Sequence, residues 1–174
     1  MIGGHESGVV GACFEVFIPI GVVHAPLLEA LHTAVFSLRG ERAWSAEEFE
    51  TLLGMEGVFG GIAASTGSDP EAFGFVLARS LVGEAEILTI ATRPDQRRKG
   101  VGGALLDWSL VEAARRGAEV LFLEVAADNR PARSLYEGRR FLLQGRRKGY
   151  YQRGSERIDA LVLSRRVMVD TKKT

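Results

Sequence analysis

The sequence predicts an α/β fold built on a mixed sheet, and three observations carry that expectation. Segments whose apolar residues recur at helical spacing are interleaved with short apolar runs of strand length. Their order is strand, two helices, three strands, helix, strand, helix and two strands. The length of 174 residues is that of one domain, and 46% hydrophobic with 25% charged residues is ordinary for a soluble globular chain.

The elements follow in turn. Phe14 to Gly21 (FEVFIPIG) reads as the first strand. In HAPLLEALHTAVF the apolar positions 27, 28, 31, 34 and 35 fall on one helical side, with Pro26 near the start. WSAEEFETLL is a second helix, capped by Ser45 with Glu48 at the capping-box spacing. GVFGGIAAS and GFVLARSL are strands joined by the turn TGSDPEA. EAEILTIATRP is a strand ended by Pro94. GVGGALLDWSLVEAARRG is a helix with Val101, Leu105, Trp108 and Val111 or Glu112 along one side, stopped by Gly117. EVLFLEVA is apolar almost throughout, as expected of a strand covered on both faces. NRPARSLYEG is a short helix capped by Asn129, and RRFLLQGRRKGYY and RIDALVLSRRV are the last two strands. One domain is therefore expected over residues 13–167, with 1–12 and 168–174 as flexible tails.

Composition narrows the classes. A single cysteine, Cys13, excludes an internal disulfide framework and suits a reducing cytoplasm. The apolar run Val9 to Val23 contains Glu15 and Pro19, is too short to cross a bilayer and has no Lys or Arg before it, so it is read as part of a soluble protein. Histidines 5, 24 and 32 show no ligand spacing with Cys13, and no metal is expected. The net charge is zero but unevenly spread: residues 1–90 hold 3 Lys/Arg against 12 Asp/Glu, and residues 91–174 hold 19 against 10. A basic half suits an anionic ligand, a phosphorylated cofactor or nucleic acid; it equally suits two halves that pack with their charges facing.

The stretch QRRKGVGGALL separates these readings. A strand, a basic turn with glycines and then a helix is the layout of an anion site, because the first N–H groups of a helix lack internal partners and its dipole adds positive potential. Glycine removes the side chain that would hold a phosphate off. The stretch is not a P-loop, since Lys99 precedes its glycine, and not a dinucleotide fingerprint, since Leu105 stands where the third glycine belongs. A glycine-rich helix start with no ligand remains the plain alternative.

RRKGVG fits the R/Q-x-x-G-x-G/A motif of the GNAT acyltransferases, with Arg97, Gly100 and Gly102 at the fixed positions. WSAEEF, EILTIATRPDQRRKGVGGALL, LFLEVAADNRPARSLYE and GRRKGYYQRGSERIDALVL resemble, in order and spacing, the RimI-type protein N-terminal acetyltransferases of that superfamily. The resemblance covers roughly residues 12–167, with 57–83 matching poorly. It implies a GNAT fold: a mostly antiparallel central sheet flanked by helices and splayed at an acetyl-CoA site. It further implies that the cofactor's pyrophosphate rests on the amides of Arg98, Lys99, Gly100, Val101, Gly102 and Gly103. The pantetheine arm would then run along Ile90, Ala91 and Thr92 and meet Asn129, with one strand amide left to polarise the acetyl carbonyl.

Acetyl transfer to an amine asks for a base for the ammonium and an acid for the departing thiolate. Glu124 is conspicuous without any family, being a carboxylate within the apolar strand VLFLEVA; it is either used or paired there. The resemblance makes it the general base, directly or through water, and makes Tyr136 of SLYE the general acid. Trp44, Tyr150 and Tyr151 match residues that wall the acceptor groove in the family, against their plainer roles as packing aromatics. The chain departs from the family at LYEGRRF, where LYESLGF is usual: Gly138 comes early, and Arg139 and Arg140 replace Leu-Gly. The expectation is a cytoplasmic enzyme that acetylates a protein α-amine, a ribosomal protein's N-terminal alanine by the resemblance. The rivals are a lysine or small-amine acetyltransferase, a non-catalytic acetyl-CoA-binding module, and an RNA-binding protein using RRKGYYQR, for which no RNA-binding motif is present.

Overall fold

The computed structural model describes residues 14–17 and 20–167. The expected tails 1–12 and 168–174, with His5 and Cys13, lie outside the described residues. The strands and helices come in the expected order: β1 (Phe14–Phe17), α1 (Ala25–Phe36), α2 (Ala46–Leu53), β2 (Val58–Ser65), β3 (Ala72–Leu81), β4 (Glu84–Thr92), α3 (Val101–Arg115), β5 (Val120–Ala126), α4 (Arg130–Gly138), β6 (Leu142–Arg153) and β7 (Glu156–Arg166). They form one seven-stranded sheet in the order β1-β2-β3-β4-β5-β7-β6. Every neighbouring pair is antiparallel except β4–β5, whose crossover is α3. Parallel neighbours require such a crossover, so the position of α3 in the chain fixes where the sheet changes sense.

Two cores lie on opposite faces. Under α3, the alternate residues Leu121, Leu123 and Val125 of β5 meet Leu105, Leu106 and Phe59. Under α1 and α2, Phe49 and Phe75 are fully buried with Leu28 and Leu77. α2 starts where expected: Ser45 Oγ accepts from the Glu48 N–H (3.3 Å), and a Glu48 carboxylate oxygen accepts from the Ser45 N–H (2.9 Å).

Three expectations are corrected. The strand predicted over Phe14 to Gly21 spans Phe14–Phe17, and a 3-10 turn follows over Val22–His24. On α3 Val111 is 51% exposed, because the buried side runs through Val101, Leu105, Ser109 and Ala113, about one turn apart each. β5 is fully covered on one face only: Val120, Phe122 and Glu124 are half-buried, the covering helices α1 and α2 packing instead over β2 to β4. Its apolar run had concealed an open face. The unlike charges of the two halves do meet, through Arg93 with Glu71 and Arg153 with Glu41.

Candidate active site

β4 and β5 are paired over four positions, from Glu84↔Val120 to Ile87↔Leu123, and then part. Beyond that point β4 stays on β3 as far as Thr92, while β5 stays on β7. The parting coincides with a β-bulge. Leu77 of β3 faces Thr89 and Ala78 faces Ile87, leaving Leu88 as the extra residue. Bulges bend the strand that carries them, which here turns β4 away from its parallel neighbour. Ile90, Ala91 and Thr92 all lie on the freed stretch. Ile90 packs towards the core under α3 and Ala91 towards the core under α1 and α2.

The freed strand leads into the basic turn. Arg97, Arg98 and Lys99 are exposed, and Lys99 Nζ donates to Gln96 (3.2 Å). Gly100 caps α3 with φ +88°, in the left-handed region that favours glycine, and Arg98 also has positive φ (+65°). No side chain caps the first amides; Ala104 N–H is the first to reach a helix carbonyl, that of Gly100 (2.9 Å). Val101 turns its side chain into the core, Gly102 lies beside the Thr92 hydroxyl, and Gly103 is buried under the Arg139 guanidinium. These uncapped amides, bare backbone and exposed cations are what a pyrophosphate needs, so the residues present fit a CoA-type cofactor.

The departure at 138–140 resolves into two local structures. Arg140, not Gly138, takes the left-handed position (φ +61°), and Phe141 N–H donates to Tyr136 O (3.0 Å) while Arg140 N–H donates to Glu137 O (2.9 Å). This is a Schellman turn with arginine where glycine is relaxed. Arg139 reaches back to α3 and donates to both carboxylate oxygens of Asp107 (2.8 and 3.0 Å), lying so close to Gly103 that a Cβ there would stand 2.2 Å from the guanidinium. An ion pair thus occupies the place expected of a leucine.

Glu124 points to the face opposite Leu123 and Val125, the α1/α2 side, and Arg147 of β6 holds it in an ion pair (Nε to Oε1, 3.0 Å). With Glu84, Glu86, Phe122 and Val162 they line a hollow of about 230 Å³. Burial, and then the neighbouring Glu124, push the Glu86 carboxyl above its usual range. Tyr136 is buried in the core under α3, its ring 6.0 Å from that of Phe141; burial raises its hydroxyl pKa far above the ordinary value, with Tyr151 adding to the shift. Tyr151 is half-buried and pushed up to about 12 by burial, then by Glu124 and Glu41. Tyr150 is exposed, edge-on to Tyr151, and Arg147 lies over its ring. Asn129 caps α4, its side-chain oxygen accepting from the Ala132 N–H (3.4 Å). Trp44 stacks on His32 and packs on Phe49, so its ring anchors α2 in the core.

Glu124 stands just past the last β4–β5 pair, and Tyr151 is the electrostatic neighbour of both Glu124 and Tyr136. Tyr136 lies in the core under α3, and Trp44 packs against the core beside α2. Above them an ion network joins three loops. Arg153 of the last hairpin binds Glu41 (Nε, 3.0 Å) and Asp128, and Arg39 binds Glu41 (3.1 Å). Sequence reasoning did not single out Arg147, Glu86, this network or the bulge at Leu88. Each depends on pairing between distant strands or loops, for which the sequence holds no local signal.

A parallel strand pair that opens beside an uncapped, glycine-lined helix start defines a class of α/β proteins that hold a phosphorylated cofactor through the gap in the sheet. The profile of the Acetyltransferase (GNAT) family matches residues 27–141, and the chain belongs to that family. The chain is 37% identical over 90 residues to the ribosomal protein bS18-alanine N-acetyltransferase of Escherichia coli K12, covering 52% of this chain and 61% of that relative. The crystal structure of the ribosomal-protein-S18-alanine N-acetyltransferase from Escherichia coli superposes with a TM-score of 0.79 over 92% of this chain and 99% of that one, at 25% identity. Arabidopsis thaliana NAA60 in complex with acetyl-CoA shares the fold at 21% identity, with a TM-score of 0.74 over 89% and 98% of the two chains. Among the described residues no helix is long and apolar enough to cross a membrane, and no group of three His, Cys, Asp or Glu could hold a metal ion.

Proposed function

We propose that the protein transfers an acetyl group from acetyl-CoA to the α-amino group of a protein N-terminus, with a ribosomal protein's terminal alanine as the acceptor. The observation that carries this reading is the parting of β4 and β5 beside Glu124, with Tyr151 the electrostatic neighbour of both Glu124 and the buried Tyr136. The identity to the Escherichia coli enzyme supports the acceptor class, and a ribosomal acceptor places the reaction in the cytoplasm.

Acetyl-CoA supplies the activated thioester. The amides from Arg98 to Gly103 would hold its pyrophosphate, with the charges of Arg97, Arg98 and Lys99 at the rim. The backbone of Ile90, Ala91 and Thr92 would take its arm, beside Asn129. The bend at Leu88 leaves β4 amides without a β5 partner, and such amides are suited to polarise a carbonyl. Glu124 faces the acceptor side and takes the ammonium proton. Tyr136, kept protonated by burial across the neutral range, is the proton source for the thiolate. Tyr150 and Tyr151 border the acceptor's path, and Arg147 withdraws from Glu124 as the ammonium arrives. Trp44 supports this wall from behind through α2.

The test uses one peptide with a free N-terminal alanine and internal lysines, incubated with acetyl-CoA and protein and read by fragment mass spectrometry. Acetyl on the alanine nitrogen is expected. Acetyl on lysine, or acetyl-CoA binding without turnover, would refute the acceptor assignment.

A further inference from the structure

β4 carries a polar side chain for which the reaction above has no use. Thr89 is 7% exposed, and among the described residues its hydroxyl has no hydrogen-bond partner. A hydroxyl buried in this way is less stable than a methyl group of the same shape, unless a partner arrives from outside the chain. Its position indicates where that partner would stand.

Thr89 is directly opposite Leu77 in the β3–β4 ladder, two residues from Ala91, and both of those belong to the core under α1 and α2. Its side chain therefore points to that face. Glu124 points to the same face from β5, since Leu123 and Val125 on either side of it belong to the core under α3. The last β4–β5 pair is Ile87↔Leu123. Glu124 is the next residue of β5, and Thr89 follows the bulge residue Leu88 on β4. One hydroxyl and one carboxylate thus stand on opposite lips of the same opening, on the acceptor side of the sheet.

We propose that Thr89 is an acceptor-binding residue: its hydroxyl accepts one N–H of the incoming α-ammonium while Glu124, from the other lip, receives the proton to be removed. Two hydrogen bonds from separate strands fix the nitrogen in the gap; once Glu124 has taken its proton, the neutral amine turns the freed lone pair towards the thioester carbon while Thr89 keeps hold of an N–H. The bulge has a role in this arrangement. Without the extra residue Leu88, the strand's alternation would turn the side chain of position 89 to the α3 face.

The inference rests on the α-amine reading above, and the experiment separates the two. Thr89→Val keeps the shape and removes the hydroxyl; Thr89→Ser keeps the hydroxyl. With the alanine-first peptide, Thr89→Val is expected to lower kcat/KM about tenfold, the scale of one hydrogen bond. Its acetyl-CoA dissociation constant, by calorimetry, should stay within about twofold of wild type, and its Tm should equal or exceed wild type because the orphan hydroxyl is gone. Thr89→Ser should recover most of the loss. A merely structural threonine would show the reverse, a lower Tm with kcat/KM retained. The inference is overturned if Thr89→Val keeps its peptide kcat/KM within about twofold, if the loss lies in acetyl-CoA affinity, or if serine does not rescue. A wild-type protein that acetylates no α-amine defeats the underlying reading, whereas an active wild type matched by Thr89→Val defeats the Thr89 assignment alone.

Discussion

His32 makes stability depend on pH in a way that can be worked from its surroundings. It is 2% exposed, its ring lies flat on Phe36 (3.9 Å between centroids, 5° between planes), and its Nδ1 accepts the Trp44 N–H (3.2 Å). Burial lowers its pKa from 6.5 to about 4, against a smaller opposing pull from Glu41 and Glu48. The folded state thus prefers the neutral ring. Its contribution is fully present above the unfolded value of 6.5 and is lost as pH falls from there towards about 4, because the unfolded chain binds the proton first. Between about pH 7 and about pH 5 the loss comes to about 2 kcal/mol. In a chain of this length that corresponds to a fall in Tm of about 4–8 °C. Urea unfolding at the two pH values should show it in the wild type, and His32→Phe, which keeps an aromatic ring and removes the titration, should show a loss smaller by that amount. Equal losses in the two proteins, or a folded-state His32 ring titrating near 6.5 by NMR, would refute the reasoning.

Other substitutions probe the site and its frame. Glu124→Gln should lower kcat by about 10²–10⁴-fold if the carboxylate is the base, read in steady-state turnover with the alanine-first peptide. Tyr136→Phe should keep the fold by circular dichroism and lower kcat at least about tenfold with the peptide KM little changed; full kcat with an unaltered pH profile would remove it from the proton path. Gly100→Ala forces a side chain into φ +88° and should destabilise by about 1 kcal/mol in denaturant titration while weakening acetyl-CoA binding. Arg140→Gly should stabilise by about 1 kcal/mol in the same titration, since the left-handed residue of the Schellman turn is there an arginine.

What could be read from the chain follows from how local each signal is. The capping box of α2, the glycine start of α3 and the Asn129 cap of α4 are fixed by residues within one turn, and all three stand where the sequence puts them. Glu124 was visible because a carboxylate in an apolar strand is costly without a use or a partner; that its partner is Arg147 depends on the β6–β7 and β5–β7 registers, which no local pattern states. β5 reads as covered on both faces because half-burial and full burial give the same run of apolar letters. The bulge at Leu88 leaves ILTI looking like any other strand. The spacing leaves Val111 and Glu112 open as the fourth position because the buried side of α3 is wide, and Val111 falls outside it.

The short β4–β5 contact makes the sheet two panels meeting at a seam: β1 to β4 on one side, and β5, β7 and β6 on the other. Besides four register pairs and the α3 crossover, the panels are clasped by Arg153, which carries the last hairpin onto Glu41 of the α1–α2 connection, 112 residues away. A ligand lying in the seam would touch both panels and act as mortar between them. Its binding energy would then register as cohesion of the whole sheet, about 2.7 kcal/mol at a hundredfold excess over Kd. That cohesion depends on binding and not on chemistry, so thermal shift should report acetyl-CoA binding even in variants that have lost all turnover.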